Sequence, residues 1–314
     1  MTAVIPVGRS VIVEVPATTA NLGPGFDTLG MALTIHDRLT ATVVDTPGVL
    51  VDVVGVGEGE VPTDETNLIA RSMAHAFKSK NIPMPGLHLI AHNVIPHGRG
   101  LGSSGAAIVS GVMAAKGLLE GSATFSSSEL LSLATDMEGH PDNIAPSLFG
   151  GLTIAWMTEA GPKHKKLSVH RGVSLVVAVP EDSTMSTQLA RSLQPDTVPH
   201  QDAIFNLSRS ALLIAALIQS PELLFEATED RLHQNYRASA MQDTDALLQV
   251  LRAQGYAAVV SGAGPSVLIL CPDPGQRLDI SAVVEAHQGG TWKSHMLTVD
   301  ERGATVEQVP ALAD

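Results

Sequence analysis

Cysteine is almost absent from this chain. Cys271 stands alone among 314 residues, so no disulfide can form within it. A lone thiol suits a reducing compartment. Positive charge is also scarce: 19 Lys and Arg face 32 Asp and Glu, for a formal net charge of −13. That balance argues against nucleic acid and acidic membrane surfaces as partners, because both demand clustered basic groups. It leaves room for a small anionic ligand, which needs only a local positive spot. Long apolar runs are missing as well. The strongest, Leu212 to Ile218, falls far short of a bilayer span. Met1 to Ser10 has no apolar core of signal-peptide length. No internal repeat or low-complexity segment stands out. These absences together predict a cytoplasmic protein bound neither to membrane nor to nucleic acid.

What is present is a globular composition, 44% hydrophobic and 16% charged, long enough for one large domain or two ordinary ones. Val11 to Val15, Leu39 to Val44, Leu50 to Val54 and Leu87 to Asn93 read as strands. Thr63 to Thr66 offers caps for a helix over Asn67 to Lys80, and Ser126-x-x-Glu129 is a capping box opening a helix through about Met137. Leu152 to Met157 and Val173 to Val179 read as further strands. Between them, the polar, Lys-rich stretch Thr158 to Ser168 is the candidate domain boundary. Ala203 to Gln219, Glu222 to Arg237 and Asp245 to Gln254 read as helices, and Tyr256 to Val260 and Val267 to Leu270 as strands around a glycine loop. Strands and helices alternate irregularly, which predicts an α+β fold rather than a doubly wound sheet.

The segment richest in chemical information is Pro96-His97-Gly98-Arg99-Gly100-Leu101-Gly102-Ser103-Ser104-Gly105-Ala106. Alternating glycines let a loop aim several N–H groups at one point, and a small-residue helix follows at once. The positive end of that helix strengthens the same spot, so the loop predicts a phosphate cradle and a nucleotide user. No Gly-Lys-Ser/Thr closes it, so it is not a P-loop, and its third glycine has the wrong spacing for a dinucleotide fingerprint. Ser103 or Ser104 could bond a phosphate or ligate Mg²⁺. A tight strand-to-helix turn is the plainer alternative.

Three further clusters carry polar groups. Pro16-Ala17-Thr18-Thr19-Ala20-Asn21-Leu22-Gly23-Pro24-Gly25-Phe26-Asp27 brings one carboxylate into a turn, where Asp27 could hold an ammonium or accept a proton. In Glu138-Gly139-His140-Pro141-Asp142-Asn143, Glu138 could complete a Mg²⁺ site and Asn143 could orient a hydroxyl. Ser261-Gly262-Ala263-Gly264-Pro265-Ser266 could close over a substrate. Singly, each also reads as ordinary turn or capping chemistry. Arg191 and Arg237 could each clamp a carboxylate, although most single arginines are solvated surface groups.

Together, in this order, the four motifs resemble the homoserine kinase branch of the GHMP small-molecule kinase superfamily, over nearly the whole chain. The Asn-Leu-Gly-Pro-Gly-Phe-Asp and Glu-Gly-His-Pro-Asp-Asn runs narrow it to that branch. Phe205 to Arg209 and Leu232 to Gln234 look most like actinobacterial members. The resemblance implies a GHMP kinase fold, with a ribosomal-protein-S5-like ATP-binding domain over residues 1–165 and a ferredoxin-like domain over 166–314. It implies ATP and Mg²⁺, with L-homoserine as acceptor and a homodimer as assembly. Pro96 to Ala106 would wrap the triphosphate, Ser104 and Glu138 would hold the metal, and Asn67 would line the adenine pocket. Asn21, Asp27, Asp142, Asn143, Arg191, Arg237 and Gly264 would form the homoserine side, the arginines taking its carboxylate and Asp27 its ammonium. His97-Gly98 and Gly105 depart locally from common family residues and leave the cradle glycine-rich. Asn143 would orient the hydroxyl while its proton passes to phosphate, the rival being Asp27 or Asp142 as base.

Overall fold

The computed structural model describes residues 5–310. In chain order its strands are β1 (Ser10–Ala20), β2 (Leu29–Val44), β3 (Val49–Gly55), β4 (Gly86–Asn93), β5 (Leu152–Thr158), β6 (Gly161–Leu167), β7 (Ser174–Pro180), β8 (Ala257–Val260), β9 (Val267–Cys271), β10 (Trp292–Leu297) and β11 (Thr305–Val309). Its helices are α1 (Leu68–Ser79), α2 (Ser103–Leu118), α3 (Ser127–Glu138), α4 (Pro141–Phe149), α5 (Thr187–Ser192), α6 (His200–Ile218), α7 (Leu224–Ala227), α8 (Gln234–Arg237), α9 (Gln242–Ala253) and α10 (Gln276–Glu285).

Two sheets organise these elements. The first runs β11-β1-β2-β4-β3, with β5 pairing the start of β2 and β6 pairing β5; β3 and β4 are parallel and the other pairs antiparallel. The second is the antiparallel sheet β10-β7-β9-β8. β7 shows why the second sheet sits inside the molecule. Leu175, Val177 and Val179 join the large core shared with the first sheet, while Val176 and Ala178 face Leu247, Leu251 and Ile280 of α9 and α10. Covered on both faces, this strand is apolar throughout instead of alternating.

β1 does alternate at its start, with Val11, Val13 and Val15 wholly buried. Its register against β2 then shifts between Pro16 and Ala17, where proline has no N–H to give the ladder. Past that irregularity, residues 16–20 are all buried. Central to the first half is α2, a helix of small residues with most of its surface buried against α1, α3 and β1. Gly111 lies so close to Ile69 and Ser72 of α1 that a side chain there would collide with them.

Two expectations need revision. The stretch 158–168 is not a linker: residues 161–167 form β6, whose lysines suit an edge strand. A division at 165/166 therefore falls inside that strand. From the C-terminal part, β11 returns to pair with β1. Finally, the helix read over 222–237 ends at Ala227 and helix resumes only at Gln234; between them the Asp230 carboxylate accepts the N–H groups of Leu232, His233 and Gln234. The capping box at Ser126 and Glu129 is present as read. α6 is long and apolar enough by length and composition alone to cross a membrane. Here it lies on the fold, burying Leu213, Ala216 and Leu217.

Candidate active site

The glycine loop leaves β4 and is anchored at its entry by Asp37, whose Oδ1 accepts the N–H groups of Val94 (2.7 Å) and Ile95 (2.9 Å). Gly98, Gly100 and Gly102 all have positive φ, between 63° and 71°. Space matters as much as φ. A Cβ on Gly100 would strike the Ser261 carbonyl, and one on Gly102 would strike the Thr18 hydroxyl. Gly102 is the N-cap of α2 and supplies no capping side chain, so the first-turn N–H groups stay available to an anion.

Two cavities adjoin this loop and a third adjoins the second. One of about 250 Å³, lined by Val53, Val61, Leu68, Ala91 and His97, is mostly apolar and reaches Ser103 and Ser104. The next, about 190 Å³, follows Gly98, Gly100, Gly102 and both serines to Glu138 and Asn143. The last, about 40 Å³, is lined by Asn21, Asp27, His140, Asp142, Asn143, Arg191 and Arg237. Shared walls join each to the next, at Ser103 and Ser104 and then at Glu138 and Asn143. The path runs from an apolar slot, past a phosphate cradle, into a small charged basin.

Electrostatics differ along that path. Ser104 Oγ donates to Glu138 Oε1 at 2.8 Å. Burial raises the Glu138 carboxyl above its ordinary range and the serine bond opposes this only in part. In the basin, Arg191 donates two hydrogen bonds to Asp27, at 2.8 and 3.2 Å. Arg237 is buried, 5.2 Å from the Phe26 ring centre, and donates to Gly262 O. Phe26 in turn stacks on His233, whose Nε2 lies 2.7 Å from Gly23 O. Asp142 is pushed up to about 6, first by burial and then by the negative charge of Asp27. His140 is pushed down, chiefly by burial and then by Arg191.

Comparison with known proteins agrees with this geometry. Residues 67–151 match the GHMP kinases N-terminal domain and residues 212–288 the GHMP kinases C-terminal domain. A homoserine kinase of Clavibacter michiganensis is 65% identical over 309 residues, 98% of each chain. One from Streptomyces coelicolor is 45% identical over 97% of each. The crystal structure of homoserine kinase from Cytophaga hutchinsonii superposes with a TM-score of 0.84 at 26% identity, covering 95% of this chain and 97% of that one.

The chain belongs to the homoserine kinases of the GHMP kinase family.

It is therefore an ATP-using phosphotransferase with the expected α+β fold. Within this homoserine kinase fold, most of the residues singled out in the sequence do converge. Gly98, Gly100, Gly102, Ser103, Ser104, Glu138 and Asn143 line the cradle; Asn21, Asp27, Asp142, Asn143, Arg191 and Arg237 line the basin. Others stand elsewhere: Leu101 and Ala106 are buried in the hydrophobic core, Pro96 and Gly105 line neither cavity, and three more have particular surroundings. Arg99 turns its guanidinium away to the carbonyls of Pro180, Glu181 and Ser183, so it ties the loop to the second half of the chain. Asn67 lines the apolar slot, but its amide is taken: Oδ1 caps α1 at Ile69 N and Nδ2 donates to Pro62 O. Gly264 lies behind the basin, where a Cβ would meet Met241, and Gly262 and Ala263 form the wall instead.

Other residues of the site were not singled out from sequence. Thr18 Oγ1 donates to Asn143 Oδ1 at 2.8 Å. Met185 N donates to Gly98 O, and Thr187 lines both cradle and basin. The one available signal was the pair of hydroxyls at Thr18 and Thr19 inside an otherwise apolar strand.

Proposed function

We propose that the enzyme transfers the terminal phosphoryl group of ATP to the side-chain hydroxyl of L-homoserine, giving O-phospho-L-homoserine on the route to threonine. The observation that carries this reading is the position of Asn143. It is the polar side chain of α4 shared by the phosphate cradle and the charged basin.

In this reading the apolar slot takes the adenine. The walls and His97 supply the contacts there, since the Asn67 amide is spent on its own backbone partners. The loop N–H groups and the start of α2 receive the triphosphate. Ser104 and Glu138 fit a Mg²⁺ site: they are hard oxygen donors, and a desolvated carboxylate with only a serine partner favours a cation beside it. The described residues hold no group of three or more His, Cys, Asp or Glu that could bind a metal without phosphate oxygens. When bound, Mg²⁺ supplies charge neutralisation to the phosphates.

The basin fits a zwitterion. Its arginines meet a carboxylate and its carboxylates meet an ammonium. The Arg191–Asp27 pair presents both signs already, so an amino acid can exchange with it without leaving a charge unmatched. Asn21 contributes by holding that turn, accepting Asp27 N–H and donating to Gly262 O. A neutral amide at Asn143 cannot take up a proton. The hydroxyl proton therefore passes to a phosphate oxygen, with catalysis resting on positioning and charge neutralisation. The raised Asp142 favours one rival, in which Asp142 serves as base.

We further read residues 1–165 as carrying most of the nucleotide site and 166–314 as closing it, in a cytoplasmic homodimer. Coupled ADP release with homoserine, mevalonate and galactose tests the substrate. Release with homoserine alone is expected; equal efficiency with another alcohol, or none with homoserine, overturns the reading. Turnover of Asp27→Asn and Asp142→Asn at saturating substrates tests the proton route. Loss of chemistry with binding retained in either variant would establish a base.

A further inference from the structure

We infer that Thr18 is a positioning residue that fixes which face of the Asn143 amide meets the reacting groups. The inference rests on the reading above, in which homoserine and ATP meet at Asn143.

An asparagine amide has two ends of nearly equal size, one a carbonyl and the other an NH₂. Turned one way, Asn143 would accept a hydrogen bond from the acceptor hydroxyl; turned the other way, it donates to it or to the phosphoryl oxygens. Shape alone cannot choose between them. The Thr18 hydroxyl can. Thr18 is wholly buried on β1, and among the described residues the only hydrogen-bond partner of its Oγ1 is Asn143 Oδ1, at 2.8 Å. A buried hydroxyl must place its proton on an acceptor or leave it unpaired at a cost. Donation to Oδ1 satisfies it and turns Nδ2 toward the junction of cradle and basin. Nδ2 has no partner of its own among the described residues.

The pair is also held against the phosphate loop. Thr18 N donates to Leu101 O at 3.1 Å, and any Cβ on Gly102 would collide with Thr18 Oγ1. The next residue extends the brace: Ser261 Oγ lies 2.9 Å from Thr19 Oγ1 and 2.7 Å from Gly100 O. One strand thus registers the cradle, the amide and the 261–266 loop against one another. The amide presents only donors to the reaction, consistent with a hydroxyl proton that leaves by way of phosphate.

The test is steady-state kinetics on Thr18→Val, Thr18→Ser and Asn143→Ala, alone and combined, after wild-type enzyme has been shown to release ADP with homoserine. Failure of that first measurement defeats the substrate reading before Thr18 is touched. Thr18→Val keeps the shape and removes the donor, so kcat should fall on the order of 100-fold while both KM values stay within about threefold. Thr18→Ser keeps the donor and should recover most of the lost kcat. Adding Thr18→Val to Asn143→Ala should cost little more, because the two act as a unit. Wild-type kcat in Thr18→Val, equal damage in Thr18→Ser, or additive losses in the double variant would each overturn the inference. If Thr18→Val does not fold, Thr18→Ala removes the same hydroxyl and is judged by the same comparison with Thr18→Ser.

Discussion

The glycine side of the cleft draws five of its lining residues from one short run, 98 to 104, whereas the charged basin gathers residues 21, 27, 140, 142, 143, 191, 237 and 262 from five separate stretches of chain. The first is made mainly of backbone, N–H groups exposed by glycines that cannot carry a side chain. The second is made of charged and amide side chains, each propped by another: Arg191 by Asp27, Asn21 by Gly262, Asn143 by Thr18. Under the proposed function the contrast follows from the ligands. Every nucleotide substrate presents the same phosphates, which backbone donors can hold. A small amino acid must be distinguished by charge and placement, which takes side chains brought in from several directions.

If the walls are built so differently, they should fail differently. Gly100→Ala should have the largest effect. Its Cβ would press on the Ser261 carbonyl and its φ of 71° suits glycine, so both walls should shift. We expect kcat/KM for both substrates to drop on the order of 100-fold or more; a drop confined to ATP would show the walls to be independent. Arg237→Ala should act on one wall alone. Loss of a charge-assisted contact predicts a rise of roughly 10- to 100-fold in the homoserine KM with the ATP KM nearly unchanged. An equal rise for ATP would remove Arg237 from the acceptor side.

Asp142→Asn should act most gently, and on stability. The folded protein pushes the Asp142 carboxyl up to about 6, against an ordinary value of 3.8. Asp142 therefore favours folding below the lower value, and that support is lost as pH rises through the higher one. Asparagine escapes the cost of a buried charge and can still accept the Asn143 N–H bond that Asp142 Oδ1 now takes. Thermal midpoints of variant and wild type should coincide near about pH 4 and separate in favour of the variant above about pH 7. A gap independent of pH would mean that Asp142 does not titrate in this window.

The same contrast explains what could be read in advance. The glycine loop, the α2 helix behind it and the Ser126 capping box are local: the residues that form each lie within a few positions of one another. Their reading carried over into the structure. Arg99 and Asn67 spend their side chains on partners, Pro180 to Ser183 and Pro62, that give no mark in the sequence of being acceptors. The 222–237 stretch kept helical composition, but its helix stops at Ala227 and Asp230 gathers three N–H groups into the turn that leads to α8. β6 was hidden because an edge strand facing solvent can be polar along its length.

By itself the sequence determined the family, the glycine loop and the ionisable groups of the basin. These depend on residue identity and short spacing, which the chain carries whether or not it is folded. Only the tertiary structure decided that Arg191 bonds Asp27, that Gly264 stands behind the wall, that β11 closes the first sheet and that Thr18 turns the Asn143 amide. Each of those is a contact between residues far apart in the chain or a choice between nearly equal orientations. Such choices are made by packing and by the need to pair every buried donor and acceptor, and both exist only once the chain has closed on itself.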